Sequence, residues 1–329
     1  MIVKILIESE IRKCLAMDLD ALDAVADGFS KLAEGKATVP PILRIDVPEH
    51  NGEVDVKTAY LHGLDHFAIK IAAGFFDNYQ LGLPTGSGMM VVMSAVTGRA
   101  EAFLLDNGYL TDVRTGLAGA IAAKYLACED VDTVGVIGSG MQARYQMRAL
   151  KLVRDYKRLL VFGIVPEDVE KYVAEMSQEL GVEVVTAKSA EEVVRGSQIV
   201  VTTTPAHKPY LKAEWLHPGL HLTCMGSDSE NKQECEAGVF GKVDRICCDR
   251  KAQCVRLGEL HHAIEEGVIG EDAEITELGE LTLGVRPGRV REDEITICDL
   301  TGVGVQDTAI ALMAYERAQA QGLGAMLGE

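Results

Sequence analysis

Apolar side chains recur at three- and four-residue steps through Ile11, Leu15, Leu19, Leu22, Val25, Ala26, Phe29 and Leu32, until Gly35 stops the pattern. That period predicts a helix-rich start over 5–35 with one face on a core. From Val39 to Ala102 the signal changes to short alternating runs, at 53–60, 67–73 and 89–94, separated by Gly, Pro, Asn and Asp. Alternation bounded by turn residues predicts a mostly antiparallel sheet. Residues 111–127, TDVRTGLAGAIAAKYLA, predict an Ala-rich helix whose small side chains permit close packing.

After Asp130 the rhythm becomes strand, helix, strand, at 133–137, 141–153, 159–162, 166–180, 183–187, 190–195 and 199–203. Further strands are expected at 221–225, 243–248 and 294–299. Apolar strands alternating with amphipathic helices predict a parallel sheet covered on both faces. Residues 305–322 read as another amphipathic helix, lying beyond that sheet and able to rejoin the N-terminal part.

The 329 residues are enough for two domains of roughly 100 to 200 residues each, and the 47% apolar content excludes disorder. Acidic side chains outnumber basic ones 50 to 32, so the average field repels phosphate backbones and anionic lipid headgroups. A small molecule, rather than nucleic acid or a membrane, is the expected partner. The opening MIVKILIESEIRKC places acids where a signal peptide needs a longer apolar core, and no apolar run is long enough to span a bilayer. The expectation is a soluble, cytoplasmic protein. Eight cysteines, at 14, 128, 224, 235, 247, 248, 254 and 298, contain no CxxC pair and read as reduced thiols. The group Cys247, Cys248 and Cys254, followed by His261 and His262, lacks zinc-ligand spacing and is not read as a metal site.

In TVGVIGSGMQARYQMRAL, Gly138 and Gly140 follow a strand and open a helix, and Ala143 stands where a third small residue is needed. The first glycine permits a tight turn, the second lets backbone N–H groups approach a pyrophosphate, and the third position brings helix and strand together. The helix N-terminus adds unpaired donors and a positive dipole end. Such a loop also suits a plain tight turn, but two further strand–helix units follow it and select a bound dinucleotide. Ser139, Met141 and Gln142 then line the loop. The acid expected about 20 residues on, beside the adenosine ribose, is missing, because the strand ends in Phe162 and Gly163. No arginine stands there either, and Glu167 and Asp168 just beyond repel a 2′-phosphate, so charge favours NAD without excluding NADP. Thr202, Thr203, Thr204 and Met225 end neighbouring strands, where open α/β sheets collect ligands; Thr203 and Met225 are assigned to the cofactor.

Charged residues in apolar surroundings mark a second set. Arg44 and Lys70 lie in ILRIDV and FAIKIAAG, and Arg114 lies near the start of the Ala-rich helix. Each, taken singly, also suits a solvent-facing cation. Together they suit a carboxylate, to which arginine offers two parallel donors and lysine a point charge. Asp55 and Lys57 alternate onto one strand face, either as a surface ion pair or as readers of a second substrate group. Asp228 follows the strand ending at Met225, where a nicotinamide ring and its substrate would meet, or else caps a turn. DLTGVGVQD at 299–307 follows another strand; its plain reading is a linker.

These residues resemble the ornithine cyclodeaminase/mu-crystallin family. The shared pattern is Arg44, Lys70, LTDVRT at 110–115, GSGMQA at 138–143, GSDSENKQE at 226–234 and TGVGVQD at 301–307, in order across nearly the whole chain. Within the family, NGEVDVKTAY, GFFDN and LLDNGYLTDVRTG are most similar to the branch linked to ectoine utilisation. The resemblance implies an α/β protein in which a Rossmann-type, doubly wound parallel sheet is inserted into an α+β substrate-binding and dimerisation domain. It places the Rossmann domain at 128–304 and the substrate domain at 1–127 and 305–329, with a homodimer joined through the latter. Carried over by position, Arg44, Lys70 and Arg114 hold the substrate carboxylate and Thr85 lines the same pocket. Thr115, Val303 and Asp228 border the cofactor. Asp228 is the acid/base group, and Lys70 is counted with it as catalytic. Asp55 falls where the cyclodeaminases carry a Glu near the distal amine of ornithine, and Lys57 where a Met is common, which argues against ornithine itself.

The implied chemistry is hydride transfer between NAD and the α-carbon of a small L-amino acid, or the reverse on its imine. In a cyclodeaminase the distal amine closes on the imine and the same NADH returns hydride. In a dehydrogenase or imine reductase the cofactor leaves changed. The rival is a non-catalytic protein of mu-crystallin type that stores a dinucleotide and a small ligand; the joint presence of Arg44, Lys70, Arg114 and Asp228 argues against it.

Overall fold

The computed structural model describes residues 2–270 and 272–328. The chain divides into two compact units, one of residues up to Arg114 with those from Val303 onward, the other Thr115–Gly302. The family resemblance places these boundaries at 127/128 and 304/305; the contacts place them at 114/115 and 302/303, so the helix Tyr109–Leu126 carries residues of both units.

The first unit is built on an eight-stranded sheet, in the order Ala325–Leu327, Val3–Ile7, Ala100–Leu105, Gly86–Ser94, His66–Phe75, Gly52–Leu61 and Ala37–Thr38, with Leu43–Val47 also pairing Gly52–Leu61. All pairings are antiparallel except that of Val3–Ile7 with Ala100–Leu105. The helix-rich start therefore needs correction: strand Val3–Ile7 comes first, and only then helices Glu8–Cys14 and Leu19–Ala33. This strand finds its partners about a hundred and three hundred residues away, and a local period does not register such partners.

Helices Leu19–Ala33 and Gly304–Ala320 cover one face of the sheet. Gly304 crosses the strand so closely that a Cβ there would lie 2.2 Å from the Thr58 carbonyl oxygen. Thr308 clamps the crossing, donating Oγ1 to the Ala59 carbonyl at 2.7 Å and accepting from Ala68 N at 3.2 Å. The expected C-terminal helix thus belongs to the first unit, and its opening residues are held against Thr58, Ala59 and Ala68 of strands Gly52–Leu61 and His66–Phe75.

The second unit holds an eight-stranded sheet in which every pairing is parallel, in the order Glu183–Thr186, Arg158–Phe162, Thr133–Ile137, Ile199–Thr202, His221–Cys224, Thr296–Asp299, Arg245–Cys248 and Ile275–Glu277. Both faces are covered. One core gathers Val134, Ala143, Met147, Tyr156 and Tyr172, the other Ile137, Val193, Trp215, Leu222 and Leu260. Strand order reverses between Thr133–Ile137 and Ile199–Thr202, the switch point where doubly wound sheets take ligands. The short strand Ile275–Glu277 and the helices Gly258–Glu265 and Leu278–Leu283 escape the sequence pattern, being too short to complete a readable period. Among the described residues, no helix is long and apolar enough to cross a membrane.

Candidate active site

In the first unit the cations meet on the helix-covered face of the sheet. Pairing sets Arg44 opposite Asp55, and Lys57 directly opposite Lys70. Asp55, Lys57, Lys70 and Arg114 are all buried, Lys70 to 2% exposure. Like charges facing each other across a ladder destabilise a sheet, and burying them costs more, so fold stability does not explain this pair.

Asp307, at the start of the last helix, joins the group. It is fully buried, with Oδ1 3.3 Å from Lys70 Nζ and 3.0 Å from Arg114 Nε. Arg114 Nη1 donates to Gln306 Oε1 at 3.0 Å, and the same oxygen accepts Val303 N at 3.0 Å. One carboxylate thus faces two cations, and neither of its oxygens has a well-aligned hydrogen bond. Burial and the nearby Arg114 and Lys57 charges push Lys70 down to about 7, against the opposing pull of Asp307. Asp307 lies within TGVGVQD, whose plain reading as a linker assigns it no role; its signal in the sequence is an acid opening an apolar helix.

Arg44 is less buried and already engaged: it binds Glu53, pairs with Asp46 at 2.9 Å and lies 3.9 Å from Asp55. The burial of Asp55 leaves its Oδ1 without a hydrogen-bond partner. Thr85 is exposed, ahead of strand Gly86–Ser94, and its carbonyl accepts Phe75 N at 2.8 Å.

In the second unit the glycine loop has the geometry a pyrophosphate requires. Gly138 has φ +110°, and a Cβ there would lie 2.4 Å from Thr203 Oγ1, so only glycine fits. Gly140 precedes helix Met141–Leu150 with no side-chain cap, and a Cβ there would meet nothing within 4 Å. One glycine is demanded by the protein and the other leaves open space over unpaired N–H groups, which fits a bound dinucleotide. Arg144 bridges the loop from below, donating to the carbonyls of Ser139 at 2.6 Å and Gly140 at 3.1 Å. Ala143 is buried; Met141 is exposed at the rim. Gln142 accepts from Gln146, which donates to the buried Thr115 carbonyl at 2.9 Å.

Thr203 donates N–H and Oγ1 to the Ile137 carbonyl at 2.9 and 3.1 Å, bridging the two strands of the switch point. Met225 N donates to the Thr202 carbonyl at 3.1 Å. Asp228 follows on its turn, with Lys232 Nζ 2.8 Å from Oδ1. Val303, assigned to the cofactor with these residues, belongs to the first unit and is fully buried there.

All eight cysteines are free, and all but Cys128 are buried. Cys254 Sγ points at Asp249 Oδ1, 3.1 Å away. His261, His262 and Glu265 bring potential ligand atoms within 4.8 Å, but His262 Nε2 is committed to the Lys232 carbonyl at 2.8 Å.

A model of the ornithine cyclodeaminase/mu-crystallin family matches residues 3–322. An uncharacterised cyclodeaminase of Sinorhizobium fredii is 50% identical over 324 residues, 98% of either chain. The solved Δ1-pyrroline-2-carboxylate reductase of Thermococcus litoralis, in complex with NADH and L-proline, superposes with a TM-score of 0.94 at 32% identity, covering 98% of this chain and 99% of that one. An archaeal alanine dehydrogenase dimer with bound NAD gives 0.91 at 34% identity, covering 100% and 99%.

Proposed function

The chain belongs to the ornithine cyclodeaminase/mu-crystallin family, and from that premise we propose that it is an NAD-dependent enzyme moving hydride at the α-carbon of a small L-amino acid or its imine, with net oxidation or reduction of the cofactor. The observation that carries this reading is the buried Lys70–Asp307–Arg114 group. Arg114 grips the substrate carboxylate with two donors, Lys70 adds charge, and Asp307 keeps both side chains aimed. Asp228 exchanges a proton with the substrate nitrogen or the attacking water. Lys70, near neutrality in its proton affinity, is a second group able to move a proton at physiological pH. When bound on the Gly138–Gly140 loop, NAD supplies the hydride chemistry.

Net redox is favoured over cyclodeamination by Lys57. A diamino substrate would bring its distal ammonium to the face where Lys57 and Lys70 already stand side by side, whereas an imine or amino acid with an uncharged side chain adds no further cation. A second reading, cyclodeamination of a short diamino acid, rests on the buried Asp55 Oδ1, which makes no hydrogen bond and has only the Arg44 guanidinium 3.9 Å away. This is also where a place in ectoine breakdown would enter, through a diaminobutyrate-type substrate.

A homodimer through the first unit is part of the proposal: the uncovered sheet face shows Leu43, Ile45 and Met89 to solvent, and the archaeal alanine dehydrogenase is itself described as a dimer. The deciding assay follows the reduced-nicotinamide absorbance band with short amino acids, cyclic and acyclic imines, and diamino acids. Net change with imines or monoamino acids upholds the reading. Ammonia release from a diamino acid without net change selects the second, and tight NAD binding with no turnover anywhere returns the chain to ligand storage.

A further inference from the structure

Asp228 stands on a turn whose base is tied down by another carboxylate. Glu234 is fully buried and collects five donors. Oε1 accepts Thr204 N at 2.7 Å, Thr204 Oγ1 at 2.6 Å and the Tyr210 hydroxyl at 2.8 Å; Oε2 accepts Thr202 Oγ1 at 2.5 Å and Gly226 N at 2.9 Å. Burial raises the proton affinity of Glu234, and these donors oppose that rise by favouring the ionised form. Glu234 therefore joins the end of strand Ile199–Thr202 to the first residue of the 226–228 turn. Gly226 has no space for a side chain, since a Cβ would lie 2.2 Å from the Thr204 carbonyl oxygen and 2.5 Å from Glu234 Oε2.

The far side of the turn is closed by Lys232. Its ammonium binds Asp228 Oδ1 at 2.8 Å, while its carbonyl accepts Ser227 Oγ at 2.5 Å and His262 Nε2 at 2.8 Å. The backbone behind it is fixed in turn: Glu259 accepts Glu234 N at 2.7 Å and Cys235 N at 3.0 Å. The nine residues 226–234 are thus held at both ends by hydrogen bonds to buried carboxylates, which are stronger than neutral ones.

We propose that Lys232 and Glu234 are positioning residues for Asp228, Glu234 setting the base of its turn and Lys232 holding its carboxylate. This rests on Asp228 being the acid/base group. In Glu234→Gln an amide N–H₂ faces donors that have lost their acceptor; in Lys232→Met the turn keeps its backbone bonds but the carboxylate loses the ammonium at Oδ1.

The test compares E234Q, K232M, K232R and D228N with the parent, using NADH titration by fluorescence and steady-state kinetics across pH. The expected result is a loss in kcat of about tenfold or more in E234Q and K232M, recovery of most of it in K232R, and a displaced pH–rate profile in K232M. Should E234Q fail to fold, Thr202→Val removes a single donor from Oε2 at nearly constant volume, with a loss in kcat of about threefold or more expected. Parental kcat and an unmoved pH profile in E234Q or T202V and in K232M, alongside an inactive D228N, overturn the inference while leaving Asp228 in place. Full turnover by D228N overturns the assignment of Asp228 itself.

Discussion

Replacing Lys70 with Met separates what that side chain does for the reaction from what it costs the fold. Lys70 is held down to about 7 from an ordinary 10.5 by burial and by the charges of Arg114 and Lys57. Between those two values the unfolded chain binds more protons than the native one, so parental stability rises with pH through that window. At about 1.4 kcal/mol per pH unit, and with Lys70 half charged at the lower edge, the gain from pH 7 to pH 9 is about 2 kcal/mol. Met fills a similar volume and does not titrate, so K70M gains nothing from this source, and the stability difference between the two proteins moves by that amount in favour of the parent from pH 7 to pH 9. The measurement is chemical denaturation of both proteins at the two pH values, with NAD and substrate absent. In parallel, kcat/KM of K70M falls by about a hundredfold, and the parental kcat/KM declines as pH rises through about 7, because a discharged anchor no longer attracts the carboxylate. Parallel stability–pH curves for the two proteins would refute the reasoning, since Lys70 would then carry the same proton affinity folded and unfolded.

The two loop glycines should separate cleanly: Gly138→Ala forces a Cβ against Thr203 at positive φ and lowers stability by about 1–3 kcal/mol, whereas Gly140→Val melts at the parental temperature but weakens NAD by at least about tenfold, read by titration. Asp307→Asn leaves Lys70 and Arg114 without their shared anion and costs about 3–5 kcal/mol, and the decline of kcat/KM with pH begins at lower pH, because Lys70 gives up its proton more readily. Lys57→Met removes the ammonium opposite Lys70, so kcat/KM for a diamino acid should rise by about tenfold relative to that for an uncharged substrate.

The dinucleotide half was readable because its signals are local. Strand, turn and helix lie within one short segment, and the positive φ of Gly138 and the open space at Gly140 follow from that sequence of elements. The alternating runs at 53–60 and 67–73 likewise announced their strands, and even placed Asp55 and Lys57 on one face. Short pieces were lost: Val3–Ile7 and Ile275–Glu277 are strands only because distant segments hydrogen-bond to them.

The chain's own order of residues was enough to determine the fold class, the cradle for a pyrophosphate and the supply of cations for a carboxylate, since each depends on spacing along a few turns or one strand. Only the tertiary structure decided how those charges are used. Register set Lys57 against Lys70, the helix beginning at Gly304 carried Asp307 between Lys70 and Arg114, and Arg44 was drawn to Glu53 and Asp46. Ion pairing depends on ångström-scale distances between side chains up to some 240 residues apart, and burial sets how strongly each charge is felt; no pattern along the chain encodes either quantity.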